Sequence, residues 1–145
     1  MKRIKIFISS VQSEFAQERE MLCQYIRTDA LLGKFFEPFI FEDVPANEYP
    51  ANHVYLREVE LCDIYLGLFG NLYGYEDIEG VSPTEREYDL AATLHKSRLI
   101  YIKAINENER HPKETALIRK VEQDIVRKTF VDIEGLRTSV YASLI

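Results

Sequence analysis

The chain has 145 residues, of which 46% are hydrophobic and 29% charged, and its formal net charge is −6. This size and composition predict one globular domain over 1–145, and the acidic balance argues against a nucleic-acid or anionic-membrane surface. No apolar run approaches the ~20 residues that span a bilayer, no cleavable leader is recognisable, and the two cysteines indicate no disulfide framework. We therefore expect a cytoplasmic protein.

Short apolar runs alternate along the chain with segments of helical periodicity. In chain order, the predicted elements are a strand at 3–9, a helix at 13–31, a strand at 35–41, a helix at 52–61, a strand at 64–69, a helix at 82–96, a strand at 99–102, a helix at 114–127, a strand at 128–131 and a helix at 132–144. Pro38 lacks an N–H for a sheet hydrogen bond, which puts the second strand at an edge. Gly33 is expected to close the first helix, and Gly135 to interrupt the last.

This alternation predicts an α/β fold, a flavodoxin-like three-layer sandwich around a five-stranded parallel sheet. The run at 64–69 lacks polar alternation, as expected for a strand covered on both faces. An edge position for the second strand favours the order 2-1-3-4-5. Strands 1 and 3 are then neighbours whose helices leave on opposite faces, so a ligand is expected beyond their carboxyl ends.

Two of the segments that meet at this edge are turns. The first strand ends in two serines whose hydroxyls suit a phosphate at the following helix N-terminus. The run GNLYGY at 70–75 has glycines that permit close backbone approach and tyrosines whose rings suit a base or nicotinamide. Ordinary turn residues would give the same pattern. The predicted ligand-binding residues in these turns are Ser9, Ser10, Gly70, Tyr73, Gly74 and Tyr75.

The third segment is a strong helix start, at which Ser82 is also a predicted ligand-binding residue. Ser82 suits the N-cap, Pro83 the first helical position, and Glu85 the far end of a capping box. Glu87 instead lies on the core-facing stripe of this helix. It therefore either pairs with a buried partner, such as Arg19 or a backbone N–H, or serves a ligand as a catalytic carboxylate.

Arg19 lies in the apolar stripe of the first helix, between Phe15 and Leu22. Either its stem packs while its guanidinium reaches water, or it turns inward to pair with a carboxylate near the sheet edge. We include it among the ligand-binding candidates. The three histidines are too far apart for a ligand set, so no metal site is predicted, and neither a Walker A loop nor a G-x-G-x-x-G motif is present.

Four segments together resemble the TIR-like family called domain of unknown function 4062, over about residues 4–103. They are IFISSVQSEFAQERE, EDVPA, YLREVELCDIYLGLFGNLYGY and SPTEREYDLAA. The resemblance implies a flavodoxin-like fold at the N-terminus of larger signalling or defence proteins, which often carry a DNA-binding or NTPase module downstream. The abrupt apolar end at 143–145 fits that expectation.

TIR-like and deoxyribosyltransferase-like domains that are enzymes use a glutamate at the start of the corresponding helix. Glu87 in SPTEREYDLA is the matching position. The resemblance implies that this carboxylate stabilises an oxocarbenium-like sugar beside the bond to a base. The Trp-Cys pair that often precedes this glutamate in TIR domains is replaced here by Thr84 and Glu85, so the resemblance supports the fold better than the activity.

Two functions follow. The one we favour from sequence is a signalling or regulatory module that senses a nucleotide-type ligand or partner protein, self-associates, and acts on a downstream domain of the same chain. The alternative is a nucleotide N-glycosidase that uses Glu87 on NAD or a nucleoside, and an FMN binder with the flavin between Tyr73 and Tyr75 is a distant third. No cofactor is predicted, NAD or a nucleotide is expected only as a possible ligand, and no direct nucleic-acid or membrane partner is expected.

Overall fold

The computed structural model describes residues 2–145, apart from the side chain of residue 107. Its centre is a five-stranded sheet of parallel strands in the order β2-β1-β3-β4-β5. The strands are β1 (Ile4–Ser9), β2 (Phe36–Phe39), β3 (Ile64–Phe69), β4 (Ser97–Lys103) and β5 (Arg127–Phe130). The predicted α/β fold and strand order are confirmed, including the edge position of the strand that holds Pro38.

Helices cover both faces of the sheet. They are α1 (Ala16–Thr28), α2 (Leu32–Phe35), α3 (Ala51–Leu61), α4 (Pro83–Thr93), α5 (Pro112–Asp124) and α6 (Ile133–Leu144). One apolar core lies between the sheet and α1, α2 and α6, and the other between the sheet and α3, α4 and α5. Within residues 2–145, no helix combines the length and the apolar character needed to cross a membrane.

The long first helix predicted over 13–31 is divided in the structure. Asp29 adopts an extended backbone after α1, and its carboxylate accepts from the N–H groups of Leu31 and Leu32 at 3.1 and 2.9 Å. This side chain therefore stops one helix and starts the next. Gly33 lies inside α2, where a Cβ would stand 2.5 Å from the carbonyl oxygen of Arg27. Its role is close packing of backbone, which corrects the prediction that it closes the first helix.

The last helix also differs from the prediction. Gly135 does not interrupt α6, because it lies in the first turn and its N–H donates to Asp132 Oδ1 at 2.7 Å. Asp132 is the N-cap of this helix, as expected from its position before the apolar periodicity.

The alternation of β1 decides which core each of its side chains enters. Ile6 and Ile8 pack with α1, α2 and α6, whereas Phe7 enters the core under α3, α4 and α5. Successive side chains of a strand point to opposite faces, so Ser9 shares the face of Phe7. Ser9 therefore ends β1 on the side where α4 begins.

A glycine in β3 fixes how closely α4 approaches the sheet. Gly67 lies between Tyr65 and Phe69, and a Cβ there would come within 2.9 and 3.0 Å of those two rings. Tyr88 of α4 packs edge-on against both, with ring centroids 5.9 and 6.4 Å apart. This packing seats the first turns of α4, including the neighbouring Glu87, against the end of the sheet.

Candidate functional site

A cavity of about 340 Å³ lies at the carboxyl end of β1, beside the loop between β3 and α4 and at the switch point of the strand order. It is bounded by the end of β1, the turn before α1, the start of α3, and the loop that leads into α4. Its lining residues are Phe7, Ile8, Ser10, Val11, Gln12, Ser13, Arg19, Phe41, Ala51, Tyr55, Gly74, Tyr75, Pro83, Thr84 and Glu87.

Glu87 is the carboxylate of this cavity and is only 7% exposed. Ser9 Oγ donates a 2.6 Å hydrogen bond to its Oε1, which joins the end of β1 to α4. Burial raises the pKa of Glu87 to about 7, although the Ser9 hydrogen bond and the positive charge of Arg19 both lower it. Its partner is thus a serine hydroxyl, and the carboxyl changes charge near neutral pH.

Arg19 turns inward and is 2% exposed. Its Nε and Nη2 donate to the two carboxylate oxygens of Glu42 at 2.8 and 2.7 Å. Its Nη1 donates to Ser10 Oγ at 2.9 Å and reaches the carbonyl oxygens of Ile8 and Ser10 at 3.4 Å. The structure therefore has the inward pairing with a carboxylate, and the guanidinium is used to hold the end of β1 to the turn that follows β2.

Gly74 and Tyr75 of the predicted tyrosine-glycine loop line the cavity. Gly74 has a φ of +92°, and a Cβ there would approach Val11 Cγ2 to 3.2 Å, so glycine is required for both conformation and space. Tyr75 is 83% exposed at the cavity edge. Its ring is free to cover a bound ligand.

Four predicted ligand-binding residues, Ser9, Gly70, Tyr73 and Ser82, are not among the residues that line the cavity, and Ser9 instead holds Glu87. A Cβ at Gly70 would stand 2.6 Å from a carboxylate oxygen of Glu14, so this glycine allows packing against the start of α1. Tyr73 is buried and its ring stacks on that of His111. These contacts give both residues a packing role, while their contact with a ligand stays a prediction.

Ser82 caps α4, and the hydroxyl of Tyr73 completes that cap. Ser82 Oγ accepts from the N–H of Glu85 at 3.2 Å, as predicted. The reciprocal half of the capping box is absent, because the Ser82 N–H donates to Tyr73 Oη, which itself donates to Glu85 Oε1 at 2.5 Å. Lys120 holds the other oxygen of Glu85. These bonds give Ser82 and Tyr73 a structural role in capping α4.

The start of the loop between β3 and α4 is held by two carboxylates that sequence reasoning missed. Glu14 accepts from the N–H groups of Asn71 and Leu72 at 2.7 and 3.0 Å, and Glu114 accepts from Gly70 at 3.3 Å. Burial raises the pKa of Glu114 to about 8, and the charge of Glu14 adds to that shift. The anchored base of this loop leaves Gly74 and Tyr75 beside the cavity.

Sequence reasoning also missed the aromatic wall formed by Phe41 and Tyr55. Their rings meet edge-on at 6.2 Å, and both line the cavity. Burial and the charge of Glu87 raise the pKa of Tyr55. The available signal was that Phe41 is the last residue of the second predicted strand, at 35–41, since the carboxyl ends of all parallel strands meet at one edge. Tyr55 lies in a helix whose orientation only the tertiary structure defines.

The sheet order and the switch-point cavity define a flavodoxin-like α/β protein. The chain belongs to the family described as Domain of unknown function (DUF4062), whose model matches residues 5–145. No protein with a curated description matches it in sequence. The family match does not test the TIR-like assignment or the expected downstream domain, which stay predictions.

Two solved structures are similar to this one. The CMP N-glycosidase BcmB from Clostridium botulinum matches with a TM-score of 0.63 and 11% identity, over 96% of this chain and 98% of that chain. A 2-desoxiribosyltransferase from Leishmania mexicana matches with a TM-score of 0.50 and 19% identity, over 68% of this chain and 64% of that one. At these identities the likeness shows a shared fold, and in the second case it spans less than two thirds of the other protein.

Proposed function

We propose that this chain is an N-glycosidase that cleaves the bond between the sugar and the base of a nucleoside or nucleotide. The observation that carries the proposal is the buried Glu87 carboxyl in a ligand-sized cavity, held by Ser9 at the switch point of the sheet. The similar fold of a CMP N-glycosidase and a 2-desoxiribosyltransferase supports it. This function was the alternative at the sequence level, and it now has better support than the signalling function.

The proposed chemistry places C1′ of the sugar beside Glu87. As the C1′–N bond breaks, its electron pair leaves with the base, and positive charge develops on C1′ and the ring oxygen. The ionised carboxylate stabilises that charge or bonds to C1′. Water then adds to C1′ and loses a proton, which gives the free sugar; a second base in place of water would give transfer.

The walls of the cavity suit a base and a sugar. Phe7, Phe41 and Tyr55 present aromatic surface, while Ser10 and Thr84 carry hydroxyls. A volume of about 340 Å³ is near the lower end of the range of roughly 300–1,000 Å³ for ligand sites. A single nucleoside unit suits this space, whereas the second nucleotide of NAD would have to extend outside it.

Release of free base tests the proposal. The purified chain is incubated with cytidine, adenosine, their 2′-deoxy forms, CMP, AMP and NAD, and the free base is measured by chromatography. We expect turnover of at least one nucleoside, and at least about a 100-fold loss in Glu87→Gln, the cost typical of removing an electrostatic catalytic group.

Asp89→Asn is the matched control, because Asp89 lies on the same helix but is half exposed and binds Lys120 outside the cavity. We expect this variant to retain wild-type turnover within a few-fold. Equal turnover by the wild-type chain and Glu87→Gln, or no base released from any substrate, contradicts the proposal.

A second function, a nucleotide-sensing regulatory module without turnover, is favoured by one observation. Among the described residues that line the cavity, Glu87 is the only carboxyl group, whereas glycoside hydrolysis generally uses two. Such a module would bind its ligand and act on a partner protein or on a downstream domain. Saturable nucleoside binding measured by calorimetry, with no base released over hours, would favour this function over the glycosidase.

A further inference from the structure

We infer that this site takes an uncharged nucleoside in preference to its 5′-monophosphate. The inference rests on the proposed ligand class and concerns the charge of the ligand. It starts from the charges of the described residues that line the cavity, among which a phosphate would find one carboxyl group and one cation that is already paired.

Arg19 is the one cationic side chain among the described residues that line the cavity. Both of its carboxylate-facing donors bind Glu42 at 2.7 and 2.8 Å, and Nη1 is shared among three oxygens of Ile8 and Ser10. A phosphate would have to displace the Glu42 carboxylate from a guanidinium that is 2% exposed. Because the Arg19 charge is already neutralised by Glu42, such an exchange gains little charge stabilisation.

Two cations on nearby segments, Arg86 and Lys113, are also paired. Arg86, on the helix that carries Glu87, lies 3.0 Å from Asp77 and 3.2 Å from Glu79. Lys113 is held by Glu76 and by the carbonyl oxygen of Gly80. Neither of these two cations can accept a phosphate without breaking an existing ion pair.

Glu87 adds the unfavourable charge. With its pKa raised to about 7 by burial, it is largely ionised at pH 8, and a 5′-phosphate on the same ligand is then dianionic. The remaining polar groups of the described lining are neutral: the amide of Gln12 and the hydroxyls of Ser10, Ser13, Tyr55, Tyr75 and Thr84. Such groups suit sugar hydroxyls and the edges of a base.

Paired ligands test this inference on the full wild-type chain. Binding of cytidine against CMP, and of adenosine against AMP, is measured by calorimetry at pH 8 and at two salt concentrations, with any released base quantified. We expect each nucleoside to bind at least tenfold more tightly than its monophosphate. The difference in affinity between nucleoside and monophosphate should be smaller at high salt, because salt screens the repulsion between the phosphate and Glu87.

Glu42→Gln, which releases Arg19 from its ion pair, should reduce the nucleoside preference severalfold. Asp43→Asn is the matched control, because it removes the same charge from the next residue, whose partner Arg27 is exposed and outside the cavity. Should Glu42→Gln fail to fold, the wild-type ligand pairs alone decide the outcome.

Equal or tighter binding of the monophosphates to the wild-type chain overturns the inference and points to backbone amides of the turn before α1 as the phosphate site. Failure of all four ligands to bind overturns it as well. Nucleoside binding with no base released leaves this inference standing while the proposed glycosidase fails, so the two failures are distinguishable.

Discussion

Ser9 Oγ donates a 2.6 Å hydrogen bond to Glu87 Oε1 across 78 residues of sequence. The bond joins the last residue of β1 to the second turn of α4, two elements that meet only in the folded chain. Because Glu87 is almost fully buried, this hydroxyl sets both the direction of the carboxylate and part of its pKa. The relationship leads to the first prediction.

We predict that base release rises with pH, with a midpoint of about 7, since only the ionised Glu87 can stabilise positive charge on the sugar. Ser9→Ala should move this midpoint to higher pH, because the hydrogen bond from Ser9 lowers the pKa of Glu87. Turnover at pH 7 should fall by at least about tenfold, as expected for loss of a hydrogen bond to a charged group worth about 1.5–3 kcal/mol.

The pH profile of kcat/KM measures both effects, and carboxyl NMR of Glu87 follows the same titration without turnover. Ser13→Ala is the control, because Ser13 lines the same cavity while the Ser9–Glu87 bond remains intact. An unchanged midpoint in Ser9→Ala would refute the assignment of Ser9 as a positioning residue.

The second prediction concerns Tyr73 and Tyr75, which lie in one loop but are expected to differ in their effects on stability and ligand binding. Tyr73→Phe should lower the free energy of unfolding by about 1–3 kcal/mol, since it leaves the buried Ser82 N–H without its acceptor. Ligand affinity should change little. Tyr75→Ala should leave stability within about 0.5 kcal/mol but weaken nucleoside binding about tenfold, through loss of stacking.

Urea unfolding and calorimetry on the same two variants measure these effects. Each variant is the control for the other, because one tyrosine is buried and the other is 83% exposed. If Tyr73→Phe abolished ligand binding at unchanged stability, the ligand role predicted from sequence would stand after all.

The third prediction compares two arginines of α1. Arg19→Met should lower the free energy of unfolding by about 2–3 kcal/mol, because it removes a buried guanidinium that binds Glu42 and Ser10. Arg27→Met should cost about 0–1 kcal/mol, since the Arg27–Asp43 pair is exposed and solvated. Equal losses in the free energy of unfolding, measured in urea, would show that burial does not distinguish the two ion pairs.

The fourth prediction concerns pH and Glu114. Its pKa in the folded chain is about 8, well above its ordinary value of 4.5, so the folded state holds a proton that the unfolded state releases. The stability from this group is complete below about pH 4.5 and is lost as pH rises through 8. Glu87 likewise lowers the free energy of unfolding as the pH rises from about 4.5 to 7.

Glu114→Gln should therefore flatten the loss of stability between pH 5 and 8, by an amount on the order of a few kcal/mol. Urea unfolding at pH 5, 6.5 and 8 measures the slope. Glu122→Gln serves as the control, because Glu122 lies on the same helix with an exposed side chain. A wild-type slope retained in Glu114→Gln would place the pH dependence elsewhere.

The fold could be predicted well because it is encoded in local patterns. The strand at 64–69 has the predicted bounds. The edge position of the second strand could be predicted from Pro38 because its missing N–H is a property of the residue itself. The first helix was predicted too long, because the Asp29 carboxylate ends α1 by bonding to backbone beyond it. Hydrophobic periodicity gives no sign of these side-chain hydrogen bonds, so it predicted a longer helix.

The sequence by itself also determined that Ser9, Gly74, Tyr75 and Glu87 lie near one edge, because the carboxyl ends of neighbouring parallel strands meet there. Only the tertiary structure decided the use of each side chain. The Tyr73 hydroxyl joins the helix cap that Ser82 forms, Arg19 pairs with Glu42, and Ser9 pairs with Glu87. A hydrogen bond between side chains is made or lost when the distance between two distant segments changes by a few tenths of an ångström. Core packing sets those distances.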